Sequence, residues 1–157
     1  MAIIIAVVNE SINDETRVAV VPEIAQKLSS NNVSFVIEKN AGAASGFLDT
    51  DYPDNSCSFV GSSSDVLNDA DVLFKVNPPT PDEIKNMKKG AIAISYMQPF
   101  QNDALIKSMA ASGIDAFSVE LIPRISRAQS MDALSSQASI AGYKSVILAA
   151  NHANKFF

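Results

Sequence analysis

Apolar residues along this chain fall into short β-branched runs that alternate with stretches of helical spacing. Ile3, Ile4, Ile5, Ala6, Val7 and Val8 form a continuous run, as expected of a strand buried on both faces. Pro22 then opens a predicted helix, with Ile24, Ala25 and Leu28 on its inner face and Glu23, Gln26 and Lys27 on the outer one. Val33 to Glu38 reads as a second strand. A long connection over residues 40–55, punctuated by Gly42, Gly46 and Pro53, leads to a short strand at Cys57 to Val60.

Residues 71–76 give the next buried strand, ended by Asn77, Pro78 and Pro79. Thr80, Pro81 and Glu83 then supply an N-cap, a first-turn proline and a carboxylate three residues after the cap, which together predict a helix start. Residues 91–96 read as a strand, Asn102 as the cap of a helix running to Ala111, and residues 114–119 as the last strand. Strands alternating with helices predict an α/β chain whose mostly parallel sheet is flanked by helices.

Residues 132–150 differ. Leu134, Ile140, Tyr143, Val146, Ile147 and Leu148 spread around the whole helical circumference, and a helix apolar all round must be covered on all sides. Ser135, Ser136, Gln137, Ser139 and Lys144 argue against lipid as the cover. The expectation is a long C-terminal helix whose cover lies outside these 157 residues, with a helix folded back on the domain or paired with a second copy as the alternative.

Composition narrows the class. The 157 residues are 47% hydrophobic and 18% charged, enough for a core without disulfides. A net charge of −5, with scattered basic residues, disfavours nucleic acid. Residues 2–8 are too few to span a bilayer and lack a basic leader, so the expected location is cytoplasmic. Cys57 is the single cysteine and reads as a packed side chain. No His/Cys cluster predicts a metal, and His152 stands far from the polar residues described next.

Ligands of open parallel sheets bind beyond the carboxyl ends of the strands. Arg17 in the segment after the first strand, Lys75 at the end of its strand, and Tyr96 to Gln98 after the next place cationic and amide donors at one edge, suited to a carboxylate, carboxamide or phosphate. The densest polar run holds Arg124, Arg127, Gln129, Asp132 and Ser135 at the mouth of the apolar helix. Asp132 could cap that helix or orient Arg124, and the plain reading of the run is a cap followed by a solvated loop. G-x-G-x-x-G occurs nowhere, and the Gly42 to Gly46 stretch has the wrong spacing for it.

The run from Pro123 through Gln137 and on to Lys144 strongly resembles the signature of the alpha subunit of the proton-translocating nicotinamide nucleotide transhydrogenases. Residues 13–19 (Asn-Asp-Glu-Thr-Arg-Val-Ala) and 73–79 (Leu-Phe-Lys-Val-Asn-Pro-Pro) resemble motifs shared with the alanine dehydrogenases. The resemblance implies a Rossmann-like (flavodoxin-like) sheet, with residues 1–131 as the N-terminal lobe of an NAD(H)-binding component and 132–157 as an interdomain linker helix. The dinucleotide-binding lobe would lie outside this chain.

The resemblance also implies an oxidoreductase that passes hydride from NADH to NADP+, coupled to proton translocation. Arg124 would hold the nicotinamide carboxamide of NAD(H), Asp132 and Ser135 would position that arginine and the ring, and Gln129 would reach the ribose of NADP(H) bound by a partner domain. Arg127 would be a further cofactor contact. Implied partners are the rest of the alpha subunit, the NADP(H)-binding and membrane domains, and a second copy in a homodimer, at the cytoplasmic face of the inner membrane. The 157 residues alone are expected to be inactive.

An alanine dehydrogenase-like lobe is the alternative, with Arg17 and Lys75 at the positions that bind the keto acid. Gln98 stands where that family has its acid/base histidine, and an amide exchanges no proton at neutral pH. Arg17 and Lys75 are therefore expected to be ion-pair partners or, like Gln98, to lie behind the NAD(H) site. A stand-alone, non-catalytic binding module is the remaining alternative.

Overall fold

The computed structural model describes residues 2–11 and 14–155. Contacts divide the chain into two compact units, Met1–Ser118 and Val119–Phe157.

The first unit is built on β1 (Ile3–Val7), β2 (Val33–Glu38), β3 (Cys57–Val60), β4 (Val72–Phe74), β5 (Ile92–Ser95) and β6 (Asp115–Ser118). All pairings among these strands are parallel, in the order β3-β2-β1-β4-β5-β6. Of the two common doubly wound orders, this is the 3-2-1-4-5-6 one, in which the winding direction reverses between β1 and β4. The parallel sheet expected from the alternation, and the Rossmann-like form that the resemblance implies, are therefore present.

Alternation along each strand distributes the core over both faces. Ile5 and Val7 of β1 join Phe35, Ile37 and Ala25 on one side, whereas Ala6 joins Leu73, Ala93 and Met109 on the other. The first side is covered by α1 (Pro22–Ser29) and by the 40–55 connection, whose Tyr52 donates its buried hydroxyl to Val20 O at 2.9 Å. The second is covered by α2 (Ser63–Leu67), α3 (Pro81–Asn86) and α4 (Asp103–Ser112). Two packed faces account for the near-continuous apolar character of β1.

Several local expectations need correction. The buried stripe of α1 runs through Ala25 and Leu28, and Ile24 lies 40% exposed beside it, because a 3.6-residue period centred on Ala25 turns position 24 outward. Helix α2 was not expected. It is five residues long, and its start rests on Ser62, whose Oγ accepts the Asp65 N–H at 3.3 Å. Asn102 occupies the cap position of α4 as expected but makes no side-chain cap bond, and its Nδ2 donates to Met97 O at 3.0 Å. The β4 strand ends at Phe74, two residues early, where the chain turns into the Asn77-Pro78-Pro79 corner.

The second unit holds short 3-10 turns at Val119–Leu121 and Ser126–Met131, followed by α5 (Ala133–His152). No residue of α5 is buried: Tyr143 is 73% exposed and Val146 64%. Among the described residues no helix is long and apolar enough to cross a membrane.

Candidate functional site

At the reversal point between β1 and β4, the strand ends are held by carboxylates. Glu10, three residues past β1 and buried, accepts the Val76 N–H on Oε1 at 2.7 Å and the Asn77 N–H on Oε2 at 2.8 Å. On the other side of β1, the Asn9 N–H donates to Glu38 Oε2 at 2.8 Å. These contacts join the exits of β1, β2 and β4.

Lys75 follows β4 directly, and its Nζ donates to both oxygens of Glu83, each at 2.9 Å. The same carboxylate accepts the Thr80 N–H at 2.6 Å while Thr80 Oγ1 accepts the Glu83 N–H at 3.2 Å, the reciprocal capping box expected at the start of α3. The Lys75 and Glu83 side chains are only 6% and 11% exposed. A cavity of about 220 Å³ opens here, lined by Glu10, Lys75, Asn77, Thr80 and Glu83 among others.

Arg17 meets Glu15 in a two-pronged contact, Nε to Oε1 at 2.8 Å and Nη2 to Oε2 at 2.7 Å. Asn77 Nδ2 adds a donor to Glu15 Oε2 at 3.2 Å, and the guanidinium carbon lies 6.0 Å from the centroid of the Tyr96 ring. Hydrogen bonding from Arg17 holds the Glu15 carboxyl at about 2, well below the ordinary 4.5, despite an opposing effect of burial. The Arg17 guanidinium is correspondingly pushed up by Glu15. Gln98 is exposed, with a positive φ of 49°, at the turn that leads into α4.

The two cationic donors that the sequence places at this edge, Arg17 and Lys75, are thus engaged by carboxylates of the chain itself. Glu10 was not singled out from the sequence, because its partner Val76 lies 66 residues away and no local spacing signals it, and Glu15, although only two residues from Arg17, was read as part of a motif and not as that arginine's partner. Asn13, part of the motif over residues 13–19, lies outside the described residues, as do Phe156 and Phe157 at the end of the expected linker helix.

In the second unit, Asp132 is the N-cap of α5. Its Oδ1 accepts the Ser135 N–H at 3.0 Å and its Oδ2 the Ser135 hydroxyl at 2.5 Å. The Ser135 hydroxyl, then the Ser135 N–H, holds the Asp132 carboxyl below the ordinary carboxylate range, and the charge of Arg124 adds to the effect. Of the two roles open to Asp132, capping is the one with direct hydrogen bonds, while Arg124 acts on it as a nearby charge. Arg124, Arg127 and Gln129 are exposed in the loop and 3-10 turn leading to the cap. Exposed guanidinium and amide groups beside a fixed serine–aspartate pair present donors suited to carbonyl, carboxamide and hydroxyl oxygens.

No group of His, Cys, Asp and Glu among the described residues is arranged to hold a metal ion. Cys57 is half-buried, and burial pushes its thiol up, away from the reactive thiolate. His152 sits in the last turn of α5.

The sequence profile described as "Alanine dehydrogenase/PNT, N-terminal domain" matches residues 6–141. The chain is 38% identical over 154 residues to the NAD(P) transhydrogenase subunit alpha of Haemophilus influenzae, covering 98% of this chain and 30% of that protein. The crystal structure of transhydrogenase from Sinorhizobium meliloti superposes with a TM-score of 0.89 at 41% identity, over 97% of this chain and 45% of that one. An L-alanine dehydrogenase structure superposes with a TM-score of 0.70 at 28% identity, over 76% of this chain and 33% of that one. The chain therefore spans less than half the length of each of these proteins.

Proposed function

The chain belongs to the alanine dehydrogenase/PNT N-terminal domain family, and on that premise we propose that it is the first lobe of the NAD(H)-binding component of a proton-translocating transhydrogenase. Residues 1–131 make up the lobe and 132–157 the linker to a dinucleotide-binding lobe, with α5 (Ala133–His152) as its helix. The observation that carries this reading is the superposition on the transhydrogenase from Sinorhizobium meliloti over 97% of the chain.

The bound nucleotides supply the redox chemistry, a hydride passing directly from one nicotinamide to the other. This chain's part is orientation, which is worth most when two rings must be held in near contact. The Arg124 guanidinium donates to the carboxamide oxygen of NAD(H), with Arg127 as a further cationic contact. Asp132 and Ser135, locked to one another at the start of α5, position that arginine and the ring. Gln129 offers its amide to the ribose of NADP(H), which belongs to a partner domain. None of these groups needs to exchange a proton.

The remaining partners in this reading are the rest of the alpha subunit, the membrane domain and a second copy of the component, all at the cytoplasmic face of the inner membrane. The exposed apolar surface of α5 supports a cover supplied by such partners. An alanine dehydrogenase-like lobe is the second reading, favoured by the weaker superposition on that enzyme. Against it stand Gln98, which cannot serve as an acid, and the engagement of Arg17 and Lys75 by Glu15 and Glu83.

Because the 157 residues hold no G-x-G-x-x-G to cradle a pyrophosphate, the isolated chain should bind NADH weakly or not at all. Isothermal titration with NADH tests this, and sub-millimolar binding by the isolated chain would contradict it.

A further inference from the structure

Residues 14–20, which carry Arg17 toward the start of α1, run through turn and coil with no helix or strand. Hydroxyls of the 40–55 connection hold two of their carbonyls. Ser45 Oγ donates to Thr16 O at 2.6 Å, and the buried Tyr52 Oη donates to Val20 O at 2.9 Å. Asn77 Nδ2 reaches Glu15 at 3.2 Å, and Arg17 stands over the Tyr96 ring. The two-pronged Arg17–Glu15 pair is different, because it is internal to the segment and travels with it. Gly42 leaves room for the Tyr52 hydroxyl: a Cβ there would stand 2.8 Å from Tyr52 Oη and 3.0 Å from Phe47 O. Burial, chiefly, pushes that hydroxyl up to about 12, so it remains a donor at neutral pH.

We propose that residues 14–20 are a strap that opens as a local unit, with Ser45 and Tyr52 as its fasteners, so that the 40–55 connection sets how often Arg17 leaves Tyr96. This device goes beyond the proposed function. It belongs to the first unit alone, and holds equally for a lobe with no role in hydride transfer.

The physical ground is how little an opening breaks. The free energy of a local opening follows the contacts it gives up. Lifting the strap keeps the Arg17–Glu15 pair and takes Val18 and Ala19 from half-buried places, with Val20 the one fully buried residue released. A core strand such as β1 gives up a parallel ladder on each side and packing on both faces. Removing the Tyr52 hydroxyl leaves the Val20 carbonyl unpaired in the closed form, whereas water serves it in the open one, so the open population rises.

Trypsin cuts after Arg17 when the strap is out, and after Lys107, in the middle of α4, when that helix is out. Initial rates at these two bonds in the 157-residue chain, followed by mass spectrometry from zero to about 1 M urea, test the proposal. The Arg17 bond should be cut faster than the Lys107 bond and with a weaker urea dependence, because a local opening exposes little surface. Tyr52→Phe and Ser45→Ala should each raise the Arg17 rate by roughly tenfold and keep that weak dependence. Should Tyr52→Phe fail to fold, Ser45→Ala, at a half-buried position, carries the test alone. Cutting at Arg17 that follows Lys107 with the same urea dependence overturns the proposal, as does an Arg17 rate left unchanged in the folded variants.

Discussion

Lys75 and Glu83 form an ion pair with both carboxylate oxygens 2.9 Å from the ammonium, in a place where neither side chain is more than 11% exposed. Glu83 is at the same time the third-position carboxylate of the capping box that starts α3. One residue thus anchors the helix to the strand before it, across the proline corner of residues 78–81.

Removing one member of a buried pair strands the other. Glu83→Ala should cost about 3–5 kcal/mol, measured as the loss in urea-unfolding free energy, because it leaves the Lys75 ammonium unpaired and also empties the cap. Glu83→Gln should cost less, since glutamine also serves in a capping box. Adding Lys75→Met to Glu83→Gln should recover part of that loss. A Glu83→Ala cost below about 1 kcal/mol would mean that the pair is an ordinary exposed one.

Glu15 makes acid stability depend on Arg17. Its carboxyl titrates at about 2 in the folded chain against an ordinary 4.5, chiefly through hydrogen bonding from Arg17. A depressed folded value means the stabilisation is complete above about pH 4.5 and is lost as the pH falls toward 2. The stability profile of Glu15→Gln should therefore be flatter than the parent's between pH 5 and 2. In Arg17→Ala, carboxyl carbon NMR should show Glu15 titrating closer to 4.5. An unchanged Glu15 titration in that variant would contradict the assignment.

What the sequence discloses here follows the range of each interaction. The bounds of β2 and β3 agree with the alternation of apolar residues, and Thr80-Pro81-Asp82-Glu83 announces its own helix start, because pattern and cap are local. Helix α2 goes unseen because five residues are too few for a 3.6-residue period to show. Asn102 is read correctly as the cap position of α4, but the bond its Nδ2 donates to Met97 O depends on the folded loop and no local pattern signals it. The carboxylates of the β1–β4 crevice are the largest omission. Glu10 meets its partners only once the parallel sheet has brought β1 beside β4. The polar run from Arg124 to Ser135 was visible, by contrast, because it is contiguous, and its Asp132–Ser135 pair is a three-residue cap.

Asp132 can be separated from the charge it carries. Asp132→Asn keeps a side-chain oxygen for the Ser135 N–H, so hydrogen exchange at that amide should stay close to the parent's. Asp132→Ala removes the acceptor, and exchange at Ser135 and Ser136 should accelerate by roughly tenfold as the first turn of α5 frays. Equal exchange in all three proteins would remove Asp132 from its role as cap.

The central claim is that residues 124–135 orient two nicotinamides. Its most direct measure is the rate of hydride transfer from NADH to an NADP+ analogue in the intact protein, with Arg124, Gln129 and Asp132 each replaced by alanine. Each replacement should lower turnover by roughly tenfold to a hundredfold while circular dichroism shows the fold retained. Parental turnover in all three variants would contradict the account.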